Sequence, residues 1–171
     1  AVPGWPKLTE VGNCRIPSGD GGVDAATGKP VPYCGVYTEA QIRDVVAHAA
    51  SLHIDVVPEV DIPGHATAAI SAYPHLGVSG RPIAVSNEWG VNVNLFNADE
   101  TTMRFLEDVL GQVVKLVPGR YVHIGGDEAV KDQWKASAKM QARIRELGVK
   151  DEAGLQAWMV ARLERFLSTH D

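Results

Sequence analysis

One stretch limits what this chain can become: residues 121–128, Tyr-Val-His-Ile-Gly-Gly-Asp-Glu. A short apolar run bounded by glycines reads as a buried β-strand. Strand alternation puts Tyr121 and His123 on one face and Val122 and Ile124 on the other. Gly125 and Gly126 allow a sharp turn and a close backbone approach. Asp127 and Glu128 then stand side by side at the strand's end. Two adjacent carboxylates there are costly unless they are solvated, paired or used. One can be held charged while its neighbour keeps a proton, and carboxylate pairs divide acid and base roles in this way. The structural alternative is that both acids simply open the next helix, where the macrodipole favours negative charge.

A second stretch has the same design. Residues 54–60 read as a strand, with Val56, Pro58 and Val60 on one face and Asp55, Val57, Glu59 and Asp61 on the other. Pro58 removes a ladder donor, which places it near the strand's end. Ile62-Pro63-Gly64-His65 follows, and then a short Ala-rich helical turn over residues 67–72.

The segments around these strands are helical or irregular. Residues 1–37 are punctuated by Pro3, Gly4, Pro6, Pro17, Gly19, Gly21, Gly22, Gly28, Pro30 and Pro32, and read as an irregular loop. Thr38 and Gln41 match a capping box that opens a helix to about Leu52, with Ile42, Val45, Val46 and Ala49 as its apolar face. Residues 73–98 read as a long loop, which is uncommon unless functional. A helix is expected over 100–116, with Met103, Leu106, Val109, Leu110 and Val113 as its stripe. Another is expected over 131–147, closed by Gly148. Asp151 opens the last helix, whose stripe is Leu155, Met159, Leu163, Phe166 and Leu167.

Strand, crossover helix, strand is a right-handed parallel unit. The expected fold is therefore α/β, with 1–37 as irregular loop and 38–171 as βα units of one partial domain. A complete eight-unit TIM barrel needs about 250 residues, and this chain has 171. That predicts a partial (β/α)8 barrel, a half-barrel whose open strand edges invite self-association. On this topology Glu59, Asp61 and His65 meet His123, Asp127 and Glu128 at the C-terminal strand ends, the active-site face of such barrels.

Composition narrows the partners. A net charge of −5 without a basic cluster argues against nucleic acid. No run of about 18 apolar residues exists to span a membrane. Cys14 and Cys34 lack CxxC partners, so zinc is not expected of them. A disulfide between them would close a loop of about 20 residues, worth roughly 3 kcal/mol, and would imply an oxidising compartment. The alternative is two unpaired thiols in a cytosolic protein.

Residues 121–128 contain a string that resembles the His-x-Gly-Gly-Asp-Glu motif of family 20 glycoside hydrolases, the β-N-acetylhexosaminidases. Val57-Pro58-Glu59-Val60-Asp61-Ile62-Pro63-Gly64-His65 is similar to the family's segment at the third barrel strand. Trp5-Pro6-Lys7-Leu8-Thr9 resembles the loop after the second strand, and Tyr37-Thr38 the element that follows it. The resemblance covers nearly the whole chain.

It implies hydrolysis of terminal N-acetylglucosamine or N-acetylgalactosamine by substrate-assisted retaining catalysis, outside the two-carboxylate rule. Glu128 would be the acid and then the base, and Asp127 would orient the 2-acetamido group. His65 would support the acid, with Asp61, His123 and Glu59 buttressing the site. No cofactor or metal is implied, the partner is an N-acetylhexosamine glycan, and the location is periplasmic or secreted. The family's sugar-binding Arg, the Asp that partners the histidine, and most aromatic pocket walls would lie outside residues 1–171. The isolated chain is therefore expected to be weakly active or inactive. Trp89 and Trp134 read as packing residues, with the pocket rim as the alternative. Two other readings compete: a metal-dependent barrel enzyme using His65, Asp61, His123 and Asp127, and a non-catalytic, self-associating barrel fragment.

Overall fold

The computed structural model describes residues 1–17 and 21–169. In chain order it contains α1 (Lys7–Glu10), β1 (Cys14–Arg15), β2 (Tyr33–Cys34), α2 (Glu39–Ser51) and α3 (Thr67–Ala72). A 3-10 turn (Pro74–Leu76) follows, then α4 (Glu100–Leu116), α5 (Asp132–Ala136), α6 (Ala138–Leu147) and α7 (Glu152–Ser168).

The helices start and stop where local chemistry directs. Thr38 Oγ1 accepts from Gln41 N at 3.2 Å, and Gln41 Oε1 accepts from Thr38 N at 2.8 Å, closing the capping box of α2. Asp151 Oδ1 caps α7 by accepting from Gly154 N at 2.9 Å. Gly148, at φ 67°, ends α6 in the left-handed conformation. The helix expected over 131–147 is instead two helices. Ser137 leaves helical backbone and its side chain accepts from Met140 N, so it ends α5 and caps α6.

Residues 1–37 are not wholly irregular. They hold α1 and the antiparallel β1–β2 pair, whose register places Cys14 opposite Cys34, and the two cysteines form a disulfide. Residues 18–20 of the predicted loop, including Gly19, lie outside the described residues.

The predicted strands over 54–60 and 121–124 are extended segments, not regular strands. They meet in one parallel bridge, Glu59 with His123. His123 N donates to Pro58 O, Val60 N to His123 O and Ile62 N to Ile124 O, at 2.9–3.1 Å. Pro58 has no N–H to extend the ladder, and among the described residues no further segment bridges to either one. The one regular sheet among the described residues is β1–β2.

The core lies on one side of this bridge. Ile62 from the first segment packs with Met103, Phe105, Leu106 and Leu110 of α4, Met140 and Ile144 of α6, and Leu155, Met159 and Leu163 of α7. Trp134 is fully buried there, with its indole N–H donating to Phe96 O at 2.9 Å. The 73–98 segment is fastened by buried Asn97. Its amide donates to His75 O and Gly77 O, and its carbonyl accepts from Thr102 Oγ1. By contrast, α2 buries none of its residues, and Val45 on its apolar face is exposed.

Candidate active site

Alternation across the bridge sorts the site. Val60, Ile62, Val122 and Ile124 turn to the core. Glu59 and His123, paired by the bridge, lie on the opposite face, with Glu59 Oε2 3.4 Å from His123 Nδ1. The same Nδ1 accepts from Gly125 N at 3.2 Å. One nitrogen cannot accept from Gly125 and donate to Glu59 at once. The shorter contact, with fixed backbone geometry, has the better claim.

Asp61 sits under the Gly125–Gly126 turn. Its Oδ1 accepts from Gly126 N at 3.0 Å. A Cβ on Gly125 would fall inside the Asp61 carboxylate and 2.8 Å from its Cα. The close approach that a double glycine permits is therefore an approach to Asp61. Gly125 and Gly126 take φ of 62° and 114°, as glycine does without steric cost. From α7, Gln156 Nε2 donates to Gly126 O at 2.6 Å and fastens the turn from the other side.

The turn delivers Glu128 to His65, with His65 Nε2 3.8 Å from Glu128 Oε2. Both side chains are about half exposed, so their attraction adds little stability. Both residues have positive φ, 47° for His65 and 52° for Glu128. Such backbone is rare for residues with a Cβ, costs roughly 1–3 kcal/mol each, and clusters at functional sites. His53, also at positive φ, lies just past the end of α2, where this conformation is ordinary. Asp127 is exposed, and its carboxylate has no partner among the described residues.

All six predicted site residues thus lie along one bridge and its two following turns. A cleft of about 220 Å³ touches Asp61 and His65 and runs between Val60, Ala66, Ala69 and Leu106. A larger apolar groove of about 300 Å³, lined by Tyr37, Ile42, Val45, Val46, Val56 and Val117, contains none of the predicted site residues. None of the predicted carboxylates lines that groove, which follows the uncovered face of α2. Among the described residues, no three His, Cys, Asp or Glu side chains converge to hold a metal ion. Gln156 was not legible in the sequence, because it reaches the site from the face of a distant helix. Trp134 packs in the core as expected, but Trp89 does not pack: it is 102% exposed. It stands beside Gly90, at φ 109° with open space around it, so no element covers the indole.

The chain belongs to glycosyl hydrolase family 20: the family's catalytic-domain model matches residues 1–171. It is 42% identical over 167 residues to a beta-hexosaminidase of Porphyromonas gingivalis, covering 97% of this chain and 20% of the relative. It is 37% identical to a beta-hexosaminidase of Vibrio furnissii, covering 98% of this chain and 28% of that protein. Among solved structures, beta-N-acetylhexosaminidase from Bacteroides fragilis superposes with a TM-score of 0.78 at 32% identity, covering 99% of this chain and 31% of that one. GH20 exo beta-N-acetylglucosaminidase from Vibrio harveyi, in complex with N-acetylglucosamine, does so with 0.78 at 33%, covering 99% and 27%. The chain therefore spans about a fifth to a third of the proteins it matches.

Proposed function

We propose that this segment supplies the acid and the acetamide-orienting carboxylate of a β-N-acetylhexosaminidase that releases terminal N-acetylglucosamine or N-acetylgalactosamine. One observation carries the reading: in a family 20 chain, the turn after the bridge delivers Glu128, in left-handed backbone, to His65 beside an unpartnered Asp127. Glu128 gives its proton to the glycosidic oxygen as that bond breaks. The carbonyl oxygen of the substrate's own 2-acetamido group attacks the anomeric carbon and closes a ring. Asp127 holds the acetamide N–H and balances the positive charge that develops there. Glu128, now a carboxylate, takes a proton from water as the water opens the ring from the leaving-group side. Two inversions leave the configuration retained. His65 positions Glu128, while Asp61, Glu59 and His123 fix the turn and the bridge beneath it.

The segment is read as part of a TIM barrel, with the remaining strands and pocket walls supplied elsewhere in the protein. Alone it is weakly active or inactive. The exposed outer edges of the bridge and the uncovered apolar face of α2 support self-association of the isolated segment. The disulfide supports a periplasmic or secreted location.

The test is hydrolysis of a chromogenic β-N-acetylglucosaminide by the full-length protein that carries this segment. Glu128→Gln lowers kcat by at least about 10²-fold, the scale of lost general-acid catalysis. Turnover that survives the substitution removes the assignment.

A further inference from the structure

Two groups claim one nitrogen of His123. Gly125 N donates to Nδ1 at 3.2 Å, and Glu59 Oε2 lies 3.4 Å from the same atom. Nδ1 accepts from Gly125 only while it carries no proton, with the ring hydrogen on Nε2. In the imidazolium both nitrogens are donors. Nδ1–H then faces the Gly125 N–H, donor against donor, and Glu59 is the acceptor within reach. The two contacts are therefore alternatives, and the protonation state of one ring selects between them.

The backbone on either side decides what gives way. His123 is itself fastened: its N donates to Pro58 O and its carbonyl accepts from Val60 N, both at 2.9 Å. Gly125 is not fastened in this way. Its N–H has no other acceptor among the described residues, and a glycine backbone moves at little steric cost. Gly126 is held separately, by Asp61 Oδ1 on its N–H and Gln156 Nε2 on its carbonyl. Losing the His123 contact thus frees one end of the turn whose other end carries Asp127 and Glu128. Of the charged groups nearby, Glu59 faces the ring across the bridge and has no other ion-pair partner among the described residues. Asp61 is committed to Gly126 N, Glu128 lies beside His65, and Asp127 is exposed past the turn.

We infer that His123 is a pH-sensing positioning residue: neutral, it holds Gly125 so that the turn presents Glu128; protonated, it pairs with Glu59 and releases Gly125, so turnover falls on the acid side. This rests on the hydrolase reading above and adds a regulation to it. Imidazole side chains take up their proton between about pH 8 and pH 5. Glu128 as an acid works in the opposite direction, because lower pH supplies the proton it must give. A loss of kcat over that interval therefore does not originate in Glu128. The other imidazole at the site is His65, and the test separates the two rings.

The experiment measures kcat of the full-length protein on a chromogenic β-N-acetylglucosaminide at pH 7.5 and at pH 5, and reads the ratio rather than either value. The unsubstituted protein loses at least about fivefold between them. His123→Asn keeps an acceptor for the N–H two residues on, as in an Asx turn, and does not titrate. Its ratio is close to one. An equal fall in His123→Asn assigns the loss to another group and overturns the inference, as does a flat profile in the unsubstituted protein. Should His123→Asn fail to fold, Glu59→Gln decides: removing the charge that favours the imidazolium moves the midpoint of the fall to lower pH, and an unmoved midpoint overturns the inference. Amide exchange in a peptide holding Gly125 and Gly126 needs no turnover. Its rate relative to His123→Asn rises as pH falls from 7.5 to 5, and a constant ratio refutes the switch. A protein that cleaves no β-N-acetylglucosaminide at any pH, yet shows this rise, refutes the hydrolase reading and leaves the switch standing.

Discussion

Gly125→Ala is the substitution that tests most directly how the site is held. Two costs add. The first is backbone: Gly125 has φ 62°, and a Cβ in that region costs roughly 1–2 kcal/mol. The second is steric. The new methyl would occupy the place of the Asp61 carboxylate, so Asp61 must leave and release its 3.0 Å bond from Gly126 N. A hydrogen bond to a charged group is worth about 1.5–3 kcal/mol. The expected loss is roughly 3–5 kcal/mol. Gly148→Ala is the internal control, because Gly148 has φ 67° but open space around it, and it should lose only the backbone part. Both are read from urea unfolding of the full-length protein, as shifts in midpoint at constant slope. Removing the carboxylate by Asp61→Ala does not rescue Gly125→Ala, since the Asp61 Cα would still lie 2.8 Å from the new methyl. If Gly125→Ala and Gly148→Ala cost the same, Asp61 is not what the turn is built against.

Two further outcomes follow from the frame around the site. Arg162 grips both oxygens of Glu100, at 2.6 and 2.7 Å, and Glu107 at 2.8 Å. The Arg162 hydrogen bonds hold the Glu100 carboxyl below its ordinary value of about 4.5. A carboxyl depressed in the folded state contributes stability above that ordinary value and loses it as pH falls through and below it. Glu100→Gln should flatten the fall in urea midpoint between about pH 5 and pH 3, by a small amount because Glu100 is half exposed; an unchanged acid slope refutes this. Thr38→Ala removes the capping box of α2 and costs the helix about 1 kcal/mol. Because α2 buries none of its residues, the loss should appear as faster amide exchange within α2, with little change in the global midpoint.

Local chemistry made much of this chain readable. The capping box of α2, the Asp151 cap and the Gly148 stop need only their own neighbours, and all three stand where spacing placed them. What failed was what depends on distant partners. Segments 54–60 and 121–124 carry strand patterns, yet a strand exists only with a ladder, and one bridge is not a ladder. Trp89 and Trp134 look alike in sequence. Trp134 lies fully buried in the core, bonded to Phe96 O, while Trp89 stands exposed on a loop. The β1–β2 pair had no periodicity to announce it, although the cysteine spacing that staples it was visible. Ser137 had the chemistry of a cap but sits inside a continuous helical pattern, so the pattern hid the break.

The site itself shows which forces position its acid. Glu128 and His65 lie 3.8 Å apart and half exposed, too weakly coupled to hold two left-handed residues against their own backbone preference. The constraint must come from below. There, Asp61 fits under a residue that can only be glycine, and Gln156 grips the carbonyl of the next. The turn is therefore preorganised by Asp61 and Gln156, and Glu128 inherits its place from them. Two substitutions separate these roles. On the proposed reading, Glu128→Gln keeps the backbone and removes only the acid, so it should lower kcat by at least about 10²-fold and leave the urea midpoint unchanged. Gln156→Ala keeps Glu128 and loosens its seat, so it should lower kcat through geometry. A normal kcat in Gln156→Ala would mean that the Gly125–Asp61 fit alone is enough to hold the acid.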